Sequence, residues 1–193
     1  VAIERGVERL LETQANDAEN ACVAGSWNYT ETLETGDTST TQIVLMGLSA
    51  ATRYVDGALE SVGDLARYLN SAQNADGGFG YRACANMAST TSMTAAGLNI
   101  HLLSGLDGGD ERAQNAIDWL RINYRFEDHI AGDYPQSYYY SLWAVAKALE
   151  AMPNNGRDGV WGDDVGGLRT PAADGYPEEP NGWYYDFAYT LVN

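Results

Sequence analysis

The sequence predicts an all-α fold built from helical hairpins, and three observations carry that prediction. Segments with apolar residues at helical spacing and charges on the opposite face alternate with segments that have no charged residue. Gly-aromatic turns separate them, as at Gly25-Ser26-Trp27 and Gly77-Gly78-Phe79. No βαβ alternation and no clear period-two run occurs.

The first segment, Val1 to Gln14, puts Ile3, Val7, Leu10 and Leu11 on one face and Glu4, Arg5, Glu8, Arg9 and Glu12 on the other. That is a helix with one wet side. A polar loop leads to Cys22 and the first Gly-aromatic turn. Thr38 or Ser39 then suits the N-cap of a helix over about Thr40 to Tyr54. Thr38 to Thr52 is uncharged, which marks a helix buried on most sides. Ser61 or Asp64 opens a third helix, with Leu65, Tyr68 and Leu69 inward, that runs to the Gly77-Gly78 break. Ser89-Thr90-Thr91 caps a second uncharged helix to about Leu103. Asp110 to Arg125 is again one-sided, with Ala116, Ile117, Trp119 and Leu120 inward. Tyr138 to Ala146 is uncharged and starts a third helix of this kind, which ends near Met152-Pro153. A long loop, Asn154 to Asn181, precedes a last helix that begins at Trp183.

The two uncharged helices align without a gap. Ser39-Thr40-Thr41 to Leu48 matches Ser89-Thr90-Thr91 to Leu98 at a shift of 50 residues, and Trp27 matches Phe79 at 52. The chain therefore reads as one domain, 1–193, with repeat units at about 1–55, 56–107 and 110–152 and a fourth beginning at 182–193. Charged outer helices alternate with uncharged inner ones. Hairpins of this kind stack into a solenoid or close into an α/α toroid.

Composition limits the function classes. A net charge of −16 repels phosphate backbones and anionic lipid, so nucleic acid is not an expected partner. No run of about 18 apolar residues occurs, so no membrane span is expected. The start, Val1-Ala2-Ile3-Glu4-Arg5, has neither an initiator Met nor a signal pattern and reads as a mature or excised piece. Cys22 and Cys84 are the only cysteines, each near a Gly-aromatic turn. Turns stacked at one end would let them form a disulfide, suited to an oxidising compartment; the alternative is two buried free thiols.

The pattern resembles the terpene cyclase and protein prenyltransferase superfamily, the squalene-hopene cyclase-like α/α toroids. The residues that carry the likeness are Arg67, Tyr68-Leu69, Gln73, Gly77 and Phe79, with Phe79 where the family has Trp. Arg9, Leu10, Gln14 and Gly25-Ser26-Trp27 look like a second copy with an insertion, and Tyr189-x-Leu191 like the start of another. The chain is most similar to bacterial prenyltransferase and squalene oxidase repeat-containing proteins, through Gly77 to Tyr81 and the Tyr138-Tyr139-Tyr140 run. The resemblance implies a bacterial, secreted or envelope-associated protein. It implies a structural clasp at Gln73, Gly77, Phe79, Gln14 and Trp27, in which Gln ties a helix end to its turn. A full toroid of this kind needs about six hairpins. Three and a fraction make about half a ring, whose open flanks predict self-association, cover by the rest of a parent chain, or closure by the loop from Asn154 to Asn181.

Catalytic signatures do not accompany the likeness. Cyclases of the family use Asp-x-Asp-Asp, and Asp163-Asp164 in a Gly-rich loop is the nearest approach. Asp-Asp-x-x-Asp is missing, as are a P-loop, a Gly-x-Ser-x-Gly elbow and His-Glu-x-x-His. The zinc site of the prenyltransferases would call on Cys84, His101 and His129, which lack the family spacing. Asp158, Asp163, Asp164 and Asp174 lack EF-hand spacing. No metal or cofactor is expected, and no catalytic residue is assigned.

What stands out is aromatic: 13 Tyr and 5 Trp. Tyr138, Tyr139, Tyr140, Trp143, His101, Tyr184 and Tyr185 are the candidate ligand-binding residues. Tyr and Trp faces suit isoprenoids and sugar rings. The expected function is a binding or scaffold module. The alternatives are an isoprenoid cyclase or prenyltransferase relative with an apolar ligand in an aromatic cavity, and a glycan-binding or lyase-type toroid.

Overall fold

The computed structural model describes residues 2–15, 19–30, 35–60, 62–105, 109–126, 137–154 and 165–193. Among them are eight helices: α1 (Ala2–Glu12), α2 (Thr38–Ala51), α3 (Leu65–Ala72), α4 (Thr91–Leu103), α5 (Glu111–Asn123), α6 (Tyr138–Asn154), α7 (Pro171–Asp174) and α8 (Trp183–Val192). The described residues contain no strand, only two isolated bridges, Asp37 to Arg82 and Gln73 to Phe79. The all-α expectation holds.

The uncharged helices are the inner ones. In α4 every residue from Thr91 to Leu102 is buried. It packs most extensively on α6, then on α2 and α5. A helix touched on all sides has no place for a charge, which explains the composition of that stretch. The outer helices α1, α3 and α5 bury one face each: Val7 in α1, Leu65, Tyr68 and Leu69 in α3, Ala113, Ile117 and Leu120 in α5.

Several boundaries differ from the sequence reading. The N-cap of α2 is Asp37, whose carboxylate accepts from the Thr40 N–H at 2.8 Å and the Ser39 hydroxyl at 2.6 Å. Asp37 wins over Thr38 because the Thr38 hydroxyl is spent on the Gly80 carbonyl and the Tyr68 phenol, each at 2.9 Å. Helix α3 stops at Ala72, before the glycines, because Gln73 turns extended to pair with Phe79. Its N-cap, Asp64, sits at φ 52 and makes no side-chain cap. Within the long loop, residues 155–164 lie outside the described residues, and the remainder includes the short α7.

The repeat is present in another register. The Trp27 N–H donates to Thr41 Oγ1 and the Phe79 N–H to Thr94 Oγ1, both at 3.0 Å. Asp37 and Thr90 are the matching N-caps. The inner helices therefore correspond at a shift of 53, three residues from the 50 of the gapless alignment. Thr38-Ser39-x-Thr41 and Thr91-Ser92-x-Thr94 carry this register. The gapless match followed side chains such as Gly47 and Gly97 whose surroundings are unrelated. Gly47 faces open space, whereas a Cβ on Gly97 would lie 2.5 Å from the Phe79 ring.

Each Gln anchors its turn to the start of the next outer helix. Gln14 Nε2 donates to the carbonyls of Gly25 (3.1 Å) and Gly63 (2.8 Å). Gln73 Nε2 donates to those of Gly77 (2.9 Å) and Arg112 (2.8 Å). The turn glycines have positive φ, 84° at Gly25 and 88° at Gly77. They press on the same outer helices near those contacts: a Cβ would lie 2.5 Å from Asp64 backbone at Gly25 and 2.8 Å from the Asn115 carbonyl at Gly77. Cys22 and Cys84 are bridged beside these turns, with Cα atoms 5.5 Å apart.

Candidate ligand cleft

The N-terminal ends of α2, α4 and α6 converge on one cleft of about 840 Å³. That volume is in the range of small-molecule sites. Ser39 and Ile43 come from α2, Thr90, Ser92 and Met93 from the start of α4, and Ser137 and Tyr140 from the start of α6. Tyr29, Tyr81, Arg82 and Met87 from the two post-turn segments complete the wall. The first turns of α2 and α4 are rich in Ser and Thr, and in α4 the Thr90 hydroxyl caps the Met93 N–H without a charge. That habit lines the cleft with hydroxyls between apolar side chains.

A buried polar ladder sets the positions of the three helices. Tyr140 Oη donates to Gln42 Oε1 at 3.0 Å, joining α6 to α2. Asn99 of α4 links Gln42 Nε2, at 3.4 Å, to the Lys147 carbonyl, at 3.2 Å. Trp143 backs Tyr140 with ring centroids 5.7 Å apart. Tyr140 is thus held by its hydroxyl and its ring.

Asp37 lies beside the cleft, fully buried, with Oδ2 lacking any hydrogen-bond partner. It is not part of the cleft wall. Burial raises the Tyr81 phenol well above its ordinary pKa, and the facing Asp37 carboxylate and Tyr29 add to the rise. Tyr81 therefore stays a neutral phenol. Arg82 approaches the Tyr81 ring, its guanidinium carbon 5.9 Å from the centroid. The wall is chiefly neutral, with one cation at its rim.

The aromatic candidates fall into separate places. Tyr140 lines this cleft. Tyr138 is half-buried and donates to the Phe126 carbonyl, and Tyr139 is exposed with its ring edge-on to Tyr138. Trp143 supports Tyr140 from behind. Tyr184 and Tyr185 line a second, shallower cleft on α8. His101 is buried in the last turn of α4, at the other end of that helix from the cleft, near enough to Asp110 to favour its carboxylate. The seven residues do not share one cavity: periodicity along a helix does not say which end of it is open.

Sequence reasoning missed Tyr29, Tyr81 and Ile43. The signal was the repeated aromatic-x-Tyr, Trp27-x-Tyr29 and Phe79-x-Tyr81. Cys84 is consumed by the disulfide and is not available as a thiolate ligand. Asp174 is engaged by Arg169 at 2.7 Å. Among the described residues no three His, Cys, Asp or Glu stand together as a metal site. His129, Asp158, Asp163 and Asp164 lie outside the described residues. None of the described helices is long and apolar enough to cross a membrane.

Comparison with protein-family models, with curated proteins and with solved structures yields no match to this chain.

Proposed function

We propose that this chain is a non-catalytic binding module of the prenyltransferase and squalene-cyclase repeat type, which takes an apolar ligand in the cleft between α2, α4 and α6. The observation that carries the reading is the cleft wall itself. Three tyrosines, Ile43, Met87 and Met93 surround a ring of uncharged hydroxyls. Such a wall gives area to an isoprenoid-like chain, and the hydroxyls and Arg82 receive a polar head.

Among the described residues, the buried carboxylate beside the cleft supports binding over chemistry. A proton donor must reach the reacting atom. Asp37 instead spends one oxygen on capping α2, and the other is shielded from solvent. The two recurring clasps support the hairpin-repeat and partial-toroid reading, and the Cys22–Cys84 bridge favours an extracytoplasmic, oxidising location.

The test is calorimetric titration with farnesol and geranylgeraniol, followed by incubation of each ligand and its diphosphate with the protein. Saturable binding to the wild type, lost in Ile43→Asp and reduced in Tyr140→Ala, is expected, with no product formed. Failure of both alcohols to bind would reject the apolar ligand. A cyclised or transferred product would reject the non-catalytic reading.

A further inference from the structure

We infer that the C-terminal aromatic cleft is a second binding site, and that its ligand class is a neutral oligosaccharide. The inference does not rest on the cleft between α2, α4 and α6. This second cleft, about 530 Å³, is formed by α8 and the segment leading into it, chiefly Tyr176, Glu179, Asn181, Trp183, Tyr184 and Tyr189.

Its rings are arranged as corners. Trp183 and Tyr184 meet at 83° with centroids 5.8 Å apart, and Tyr176 and Tyr189 at 76° and 6.4 Å. Tyr184 is 69% exposed and Tyr176 44%. Large rings left this open keep apolar area in contact with water until something covers them. A pyranose offers a flat face of C–H groups for one ring and an edge of hydroxyls for the surroundings. The side chains of Glu179 and Asn181 make no hydrogen bond within the described chain, so an acceptor and a mixed donor-acceptor stand at the rim.

The platform is rigid. Asp186 is fully buried and accepts from the Leu168 N–H (3.1 Å), the Arg169 N–H (2.8 Å) and the Tyr124 phenol (2.9 Å). Trp183 rests on Phe187, centroids 5.7 Å apart, and is pressed by Gly166, where a Cβ would come within 2.7 Å of it. Arg169 lies over the Tyr189 ring at 3.8 Å and pairs with Asp174, which also accepts from the Tyr185 phenol at 3.3 Å. Rings fixed before the ligand arrives lose little entropy on binding.

Charge selects among sugars. Arg169 is matched by Asp174, while Glu179 in the cleft lining is exposed and forms no ion pair among the described residues. The field disfavours uronates and sulfated chains.

The experiment is calorimetric titration of the whole chain with cellohexaose, xylohexaose, mannohexaose and chitohexaose, with hexagalacturonate and a proline-rich decapeptide as comparisons. Saturable binding of one or more neutral hexasaccharides is expected, stronger than that of hexagalacturonate. Tyr184→Ala and Tyr176→Ala each weaken it about tenfold or more, with unchanged circular dichroism. Tyr140→Ala, in the other cleft, leaves it intact. No binding of any neutral hexasaccharide at millimolar concentration, tighter binding of hexagalacturonate or the peptide, or binding as tight as the wild type in both tyrosine variants would overturn the inference.

Discussion

The first and second hairpins use the same clasp with different reserves. In the first, Gln14 is buried and works at both ends of its amide: Nε2 donates to Gly25 and Gly63, and Oε1 accepts the Gly63 N–H at 3.3 Å. The aromatic, Trp27, adds an indole bond to the Leu10 carbonyl at 2.7 Å. In the second, Gln73 is half-buried and donates to Gly77 and Arg112, while Phe79 has no polar handle. Close packing on Gly97 and an ion pair compensate. Arg112 chelates Asp110 at 2.8 Å through Nε and again through Nη2, and reaches the Ala66 carbonyl at 3.0 Å. One clasp is a neutral buried network; the other is a stacked ring beside a charged brace. The comparison teaches that the repeat conserves connections between elements, while the chemistry of each connection is free to change.

The bridge between the two hairpins gives the largest expected effect. Cys22 and Cys84 close a separation of 62 residues, and losing such a loop constraint costs about 4 kcal/mol in the chain-entropy model. Urea unfolding of a Cys22→Ser/Cys84→Ser variant should show a lower midpoint and a steeper slope, because the unlinked denatured chain is less compact. An unchanged midpoint would show that the clasps alone hold the turns together.

The glutamines come next. Gln14→Ala strands buried carbonyls and is expected to destabilise by about 2–3 kcal/mol, against about 1–2 kcal/mol for Gln73→Ala. Equal losses in chemical denaturation would remove the distinction between a buried and a braced clasp. Trp27→Phe converts the first aromatic into the second and forfeits the bond to Leu10. A loss of about 1 kcal/mol is expected on top of the volume change.

The smallest effect is electrostatic and belongs to the second clasp alone. Hydrogen bonding to Arg112 holds the Asp110 carboxyl well below the usual carboxylate range. A depressed folded pKa contributes stability that is present above the unfolded value and is lost as pH falls through the folded one. Stability should therefore decline with falling pH from about pH 4 to pH 2. Asp110→Asn should flatten that part of the profile, because its side chain does not titrate. An identical profile in the variant would show that other carboxylates account for the acid response.

Much of the fold was legible in the residues. The uncharged runs marked the inner helices because a helix packed on every side excludes charge, as Thr91 to Leu102 does. The ties of Gln14 and Gln73 to their turns were implied by the family resemblance and not by any local pattern, and their second bonds, to Gly63 and Arg112, join distant parts of the chain. The alternative of free thiols gave way to the bridge, which depended on how the turns stack and not on any local pattern. The repeat register was misread by three residues because Gly, Leu and Ala recur often, whereas the hydrogen bonds that define it, Thr41 to Trp27 and Thr94 to Phe79, run between segments about 15 residues apart.

The candidate site was less legible. A run such as Tyr138-Tyr139-Tyr140 sends three neighbouring side chains to three different surroundings, since successive residues on a helix point about 100° apart. Only Tyr140 reaches the cleft. Tyr29 and Tyr81 arrive from separate turns, and Ile43 from a helix read as buried on most sides.

The sequence by itself determined which segments are helical, which of them are inner, and where the Gly-aromatic turns fall, because period, charge and turn chemistry are local properties of the chain. The tertiary structure decided the disulfide, the repeat register and the division of the tyrosines between two clefts. Those depend on which helix ends meet, and that is settled by packing between residues 30 to 100 positions apart, such as Tyr68 with Thr38 and Tyr140 with Gln42.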